Sequence, residues 1–168
     1  RYAVMVIIPK TIPFVIGFIT IHHTPLFGDE MQPTQTKSLD NLLWVYGPNH
    51  GKQTAAFYPG DRYVDLIGLD AYTDFVDLDH IKGYAEIAKI AKPFGITEFG
   101  PHGSSNPPGD YDYRRFIAGV EKHFPRTVFF MSWNANWSLA RNNYTKELLD
   151  HPWMINREDL PTELAGRP

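Results

Sequence analysis

Apolar residues along this chain gather in short runs closed by glycine or proline, and from Asn41 onward these runs alternate with stretches of helical spacing. Asn41–Tyr46 (NLLWVY) ends at Gly47-Pro48, and Tyr63–Asp70 (YVDLIGLD) follows; both predict buried strands. Asp77 or Asp79 then caps a helix in which Ile81, Tyr84, Ala85, Ala88 and Ala91 recur on one face. Lys89 and Lys92 suit its last turn, and Pro93 stops it. Phe94–Glu98 (FGITE) predicts a third strand, closed by Gly100-Pro101 and followed by the loop GPHGSSNPPGD. Asp110 or Asp112 caps a second helix with the stripe Tyr113, Phe116, Ile117, Val120 and Phe124, which Pro125 closes. Thr127–Ser132 (TVFFMS) predicts a fourth strand, and a short helix is expected near Tyr144 to Leu149.

Strands joined by helix-length connections imply right-handed βαβ units and a parallel sheet. Four strands make either a small open α/β sheet or half of an eightfold barrel, which usually takes about 250 residues; the pattern leaves both open. Strict alternation puts Leu42, Trp44 and Tyr46 on one face of the first strand, and Leu66, Gly68, Asp70 and Tyr72 on one face of the second. It does the same for Phe94, Ile96 and Glu98, and for Phe129, Met131 and Trp133. Sites in parallel α/β folds form at the carboxyl ends of strands, so Glu98 is a catalytic candidate there. Its bland alternative is a cap or an ion-pair partner, for which a position between Thr97 and Phe99-Gly100 is poor. Asp70 and Tyr72 also read as ordinary turn chemistry. Trp133, between Ser132 and Asn134, reads equally as a sugar platform or a packed lid.

Composition narrows the function. Hydrophobic residues are 43% and charged residues 21%, which is globular, and 16 basic against 19 acidic side chains give a net charge of -3. The absence of a Lys/Arg run argues against a nucleic-acid partner. Aromatics reach 14%, several beside Gly, Pro, Asn or Asp, which suits a ligand that is both apolar-faced and hydroxylated. With no cysteine there is no disulfide or thiolate chemistry. Ala3 to Ile21 is apolar, but Pro9, Lys10 and Pro13 interrupt it, so no membrane span of about 20 residues is read. No cleavage site or initiating Met accompanies it, so no signal peptide is read and the chain looks like a piece of something longer. His22-His23 with Asp29 and Glu30 fits no recognised metal spacing, and His102 either meets substrate or faces water.

The order LDNLLWVYGPN, FYPGDRYVDLIGLDAY, GITEFG and FFMSWNANW, spread over Ser38 to Pro161, resembles glycoside hydrolase family 26, chiefly endo-β-1,4-mannanases on an eightfold (β/α)8 TIM barrel. The resemblance implies a partial barrel made of strands five to eight with covering helices. It implies a retaining glycosidase acting on β-mannan or a related polysaccharide, with no cofactor and no metal. Glu98 in TEFG then matches the nucleophile, Tyr72 the tyrosine that hydrogen-bonds it, Trp133 the tryptophan at the cleavage point, and Asp70 an acidic position beside the tyrosine. Tyr46 joins Asp70, Tyr72 and Trp133 as an expected substrate-binding residue. Location is unreadable from the residues; by resemblance, enzymes attacking polymers are usually exported.

The family carries its acid/base glutamate in a His-Glu-Met segment followed by tryptophans. Here Asp29-Glu30-Met31 lacks both the His and the tryptophans, and only Gln32 to Asp40 separates it from the next strand, too little for a covering helix. Glu30 is therefore not taken as the acid. Residues 1–37 read as a divergent amino-terminal segment and 38–168 as the carboxyl-terminal half of a barrel, whose exposed edges would favour association. An impaired enzyme, a carbohydrate-binding relic without the acid, and an unrelated α/β domain are the competing expectations.

Overall fold

The computed structural model describes residues 43–101 and 107–160. The expected boundary between residues 37 and 38, the His22, His23, Asp29 and Glu30 group, and His102 lie outside them. Within the described residues, β1 (Val45–Tyr46), β2 (Leu66–Tyr72), β3 (Phe94–Gly100) and β4 (Thr127–Ser132) form one sheet in that order, every pair parallel. The helices are α1 (Tyr84–Ile87), α2 (Tyr113–His123) and α3 (Thr145–Leu149).

α2 forms as its spacing predicts. The Asp112 carboxylate accepts from the Arg114 amide at its start, and Tyr113, Phe116, Ile117 and Val120 are its buried face. The helix expected after Asp77 is broken instead. Asp77 does cap a turn, accepting from the Asp79 and His80 amides. Gly83, however, lies at φ +90°, and a side chain there would sit 2.3 Å from Thr54 Cγ2. Thr54 in turn donates its hydroxyl to the Gly83 carbonyl, so the chain kinks to hold that contact and only one helical turn remains. Lys92 consequently bonds the Asp61 carbonyl rather than a helix end. No α-helix joins β1 to β2; turns and a 3₁₀ segment at Asp61–Tyr63 do so, which is why β2 starts at Leu66 and not Tyr63. Among the described residues no helix is long and apolar enough to cross a membrane.

One side of the sheet carries the main core. Ile67, Leu69, Ala71, Phe94, Ile96, Phe99 and Phe130 pack there against Phe116, Ile117, Val120 and Phe124. Phe116 lies 4.5 Å from Phe99 and 4.7 Å from Phe130, centroid to centroid. The other side of the sheet is built around small residues. A side chain at Gly95 would collide with the Phe129 ring at 2.3 Å, and side chains at Gly47 and Gly68 would collide with Thr97 at 2.6 and 2.5 Å. These glycines let Phe129 and Thr97 lie flat against the neighbouring strands. Val45, Phe129 and Met131 are buried on this side, apart from the helix-facing core.

Candidate active site

The carboxyl end of β3 is where the sheet departs from strict alternation. Leu69 pairs with Ile96, yet the next residue, Asp70, pairs with Glu98, leaving Thr97 as the extra residue of a bulge. The β4 side shows the same interruption, with Ile96 opposite Phe130 and Phe99 opposite Ser132. Ile96 and Phe99 both face the helices, while Thr97 and Glu98 both face Asp70 and Tyr72. The expectation that Phe94, Ile96 and Glu98 share a face is thus corrected. Phe94 and Ile96 point into the core, and the bulge re-aims Glu98 to the opposite side.

On that side the strand ends form one hydrogen-bonded group. The Tyr72 hydroxyl donates to Glu98 Oε2 at 2.8 Å, and the Thr97 hydroxyl donates to Asp70 Oδ1 at 2.7 Å. The backbone of Asp70 is fixed from the segment after β1, its amide donating to the Pro48 carbonyl at 3.0 Å and its carbonyl accepting from the His50 amide at 2.9 Å. Glu98 keeps 8% of its surface exposed and Asp70 keeps 4%. Trp133 and the Tyr72 ring meet in a T-shaped pair at 6.2 Å and 71°, and the Trp133 amide donates to the Phe99 carbonyl. Trp137 meets the same ring at 6.4 Å and 90°.

The electrostatics follow from that burial. Desolvation chiefly, and then the nearby Glu98 charge, raise the Asp70 carboxyl to about 7 against the opposing pull of the Thr97 hydrogen bond. Burial first, and then donation to Glu98, push the Tyr72 phenol far above its ordinary range, so it stays a donor at any working pH. Between the ordinary aspartate value of 3.8 and about 7, folded Asp70 holds a proton that the unfolded chain has lost, so stability falls as pH rises through this window. Asp70→Asn keeps the oxygen that Thr97 needs. It is expected to stabilise the fold by on the order of 2 kcal/mol at pH 8 and to be near neutral at pH 4. Urea melts at the two pH values check this, and an equal effect at both would show that Asp70 titrates normally.

Four of the five expected site residues come together: Glu98, Tyr72, Asp70 and Trp133. Tyr46 does not join them. It lies in the helix-facing core, with its hydroxyl donating to the Thr54 carbonyl at 2.9 Å and its ring edge against Tyr58. The adjacent Gly47 takes the position facing Thr97, so alternation turns Tyr46 the other way. Sequence reasoning missed Thr97, whose role depends on the bulge, and Trp137, whose signal was its place four residues after Trp133. Among the described residues there is no group of acidic, His or Cys side chains able to hold a metal.

A carboxylate held by a phenol at the carboxyl ends of parallel strands can act as a nucleophile or bind a hydroxylated ligand. Comparison with known proteins narrows the choice. The chain is 39% identical over 128 residues to the mannan endo-1,4-β-mannosidase of Bacillus subtilis (strain 168), covering 76% of this chain and 34% of that enzyme. It therefore spans about a third of the curated relatives' length. Its fold matches the solved structure of the Bacillus subtilis mannanase BCman with a TM-score of 0.66 and 39% identity, over 73% of this chain and 35% of that one. A β-mannanase from a symbiotic protist of the termite Reticulitermes speratus, solved with a gluco-manno-oligosaccharide, matches at 0.53 and 25% identity, over 76% and 38%. The four parallel strands accordingly match part of the TIM-barrel fold of these mannanases. The sequence profile of glycosyl hydrolase family 26 fits residues 29–159, a span that reaches upstream of Ser38 and takes in Glu30. With the fold, the strand-end carboxylate and that match in agreement, this chain belongs to glycosyl hydrolase family 26.

Proposed function

We propose that this chain supplies the nucleophile side of a retaining hydrolase of β-1,4-mannan, with Glu98 as the nucleophile. The observation that carries the reading is the 2.8 Å bond from the Tyr72 hydroxyl to Glu98 Oε2, which holds one carboxylate oxygen and leaves the other for attack. In the first step Glu98 forms a bond to the anomeric carbon while the bond to the leaving sugar oxygen breaks. A second carboxylic acid, about 5 to 5.5 Å away, gives that oxygen its proton. The same group then takes a proton from water, the water oxygen bonds to the anomeric carbon, and Glu98 leaves with configuration retained. Asp70 does not suit the acid role: it is 4% exposed, bonded to Thr97, and on the strand beside Glu98.

Trp133 would meet the sugar at the cleavage point, and Asp70 with Thr97 would hold the floor beneath it. The acid is expected from the strands that complete the barrel, so the chain by itself is impaired, and its open edges would associate with those strands. A mannosyl donor with a 2-fluoro substituent and a dinitrophenyl leaving group tests the reading, because that group departs without an acid. Incubation should add one fluoromannosyl group to Glu98, read by peptide mass. Binding of mannan with no labelling, with or without a separately made amino-terminal half, would favour a carbohydrate-binding relic and overturn the proposal.

A further inference from the structure

Trp137 stands outside the catalytic group, and three observations make it more than filling. It meets the Tyr72 ring at 90°, while Trp133 meets the same ring at 71°. Gly100, two residues beyond Glu98, lies under both rings. A side chain there would come within 2.4 Å of Tyr72 Cδ1 and 2.6 Å of Trp137 Cδ1. Tyr72 and Trp137 are thus pressed together against the backbone of the strand that carries Glu98. The backbone of Trp137 is also anchored: its carbonyl accepts from the Tyr113 hydroxyl at 2.9 Å and from the Ser132 hydroxyl at 3.2 Å. Asn142 secures the segment further through the carbonyls of Asn136 and Ser138.

This placement is costly in two ways. The Trp137 Nε1–H is buried and has no hydrogen-bond partner among the described residues. Ala135, which opens the 3₁₀ segment Ala135–Trp137, sits at φ +55°, in the left-handed region that a β-carbon disfavours. A phenylalanine would offer Tyr72 a smaller ring without an orphaned donor. Nor can the indole nitrogen serve as a donor to substrate, since it is sealed from solvent. What the indole contributes is its perpendicular contact with Tyr72, a ring whose hydroxyl must point at one oxygen of Glu98. Local strain accepted for one contact at a catalytic hydrogen bond is what a positioning role predicts.

We infer that Trp137 is a positioning residue, which with Gly100 wedges the Tyr72 ring so that its hydroxyl stays on Glu98. The inference rests on Glu98 being the nucleophile. Its first test does not depend on activity. With ¹³C-labelled tyrosine, NMR reads the exchange of the Tyr72 hydroxyl proton with solvent. Trp137→Leu is expected to speed that exchange by about tenfold or more, as the hydrogen bond opens more often, while Trp137→Phe stays closer to the parent. Gly100→Ala, which disturbs the same contact from the strand side, should also speed it and gives a second reading if Trp137→Leu does not fold.

The rate of Glu98 labelling by the fluoromannosyl donor should fall in the same order, with the donor's affinity little changed. Unaltered hydroxyl exchange in folded Trp137→Leu, or in folded Gly100→Ala, overturns the proposal. Faster exchange in the variants, together with a parent chain that is never labelled, supports the positioning contact and sinks the nucleophile assignment instead, so the two ideas fail separately.

Discussion

In a barrel completed by its amino-terminal half, Glu98→Ala is expected to release sugar from mannan on the order of 10⁴-fold more slowly. The loss should be in kcat as well as kcat/KM, because the bond proposed for Glu98 exists only along the reaction path. Truncation also leaves the Tyr72 hydroxyl without its acceptor, at a cost of about 1 kcal/mol or more to the fold. A thermal melt therefore accompanies the assay, and Glu98→Gln, which keeps an oxygen for Tyr72, separates chemistry from folding. With an activated aryl mannoside, added azide should restore turnover to Glu98→Ala by taking the vacated place. The product should then be a mannosyl azide of inverted configuration. Sugar release at the parent rate in a folded Glu98→Ala variant would end the assignment.

Phe116→Ala is expected to cost about 3–5 kcal/mol of stability. Phe116 is 1% exposed and touches Phe99 and Phe130 on two adjacent strands, with Tyr113 one helical turn away. Removing its ring takes away the contact that presses α2 onto β3 and β4. Domains are stable by only about 5–15 kcal/mol, so a large share of the fold's margin is lost. Urea unfolding followed by tryptophan fluorescence measures this. Leu78→Ala, at a residue that is 52% exposed, should move the midpoint by no more than about 0.5 kcal/mol and serves as the comparison. A similar small effect for Phe116→Ala would mean that α2 does not seal this side of the sheet.

The strands and α2 were legible in the sequence because their apolar runs and their 3.6-residue stripe are long and closed by proline or glycine. The break near Gly83 was not, since it answers to Thr54 across the fold and no local spacing records a contact 29 residues away. In the site, TEFG and DAY marked Glu98, Asp70 and Tyr72 by resemblance, and the geometry brings them together. Alternation alone would have placed Glu98 with Phe94 and Ile96. It fails at Thr97, because a bulge needs an added residue in one strand and leaves no signature in hydrophobic pattern. Tyr46 was misplaced for a related reason, as Trp44-Val45-Tyr46 carries apolar side chains in both directions and so hides its phase.

The extra residue at Thr97 also governs how this strand can be transplanted. A designer who moved Glu98 onto another barrel as a seven-residue segment of regular pleat would turn Phe99 to the Asp70 side and bury Glu98 among helices. The unit that travels intact is larger: the bulged strand, together with Gly47 and Gly68, whose missing side chains make room for the displaced threonine. In that sense the orientation of the proposed nucleophile is encoded by three neighbouring strands, and straightening the bulge with all seven residues kept would turn Glu98 toward the helices.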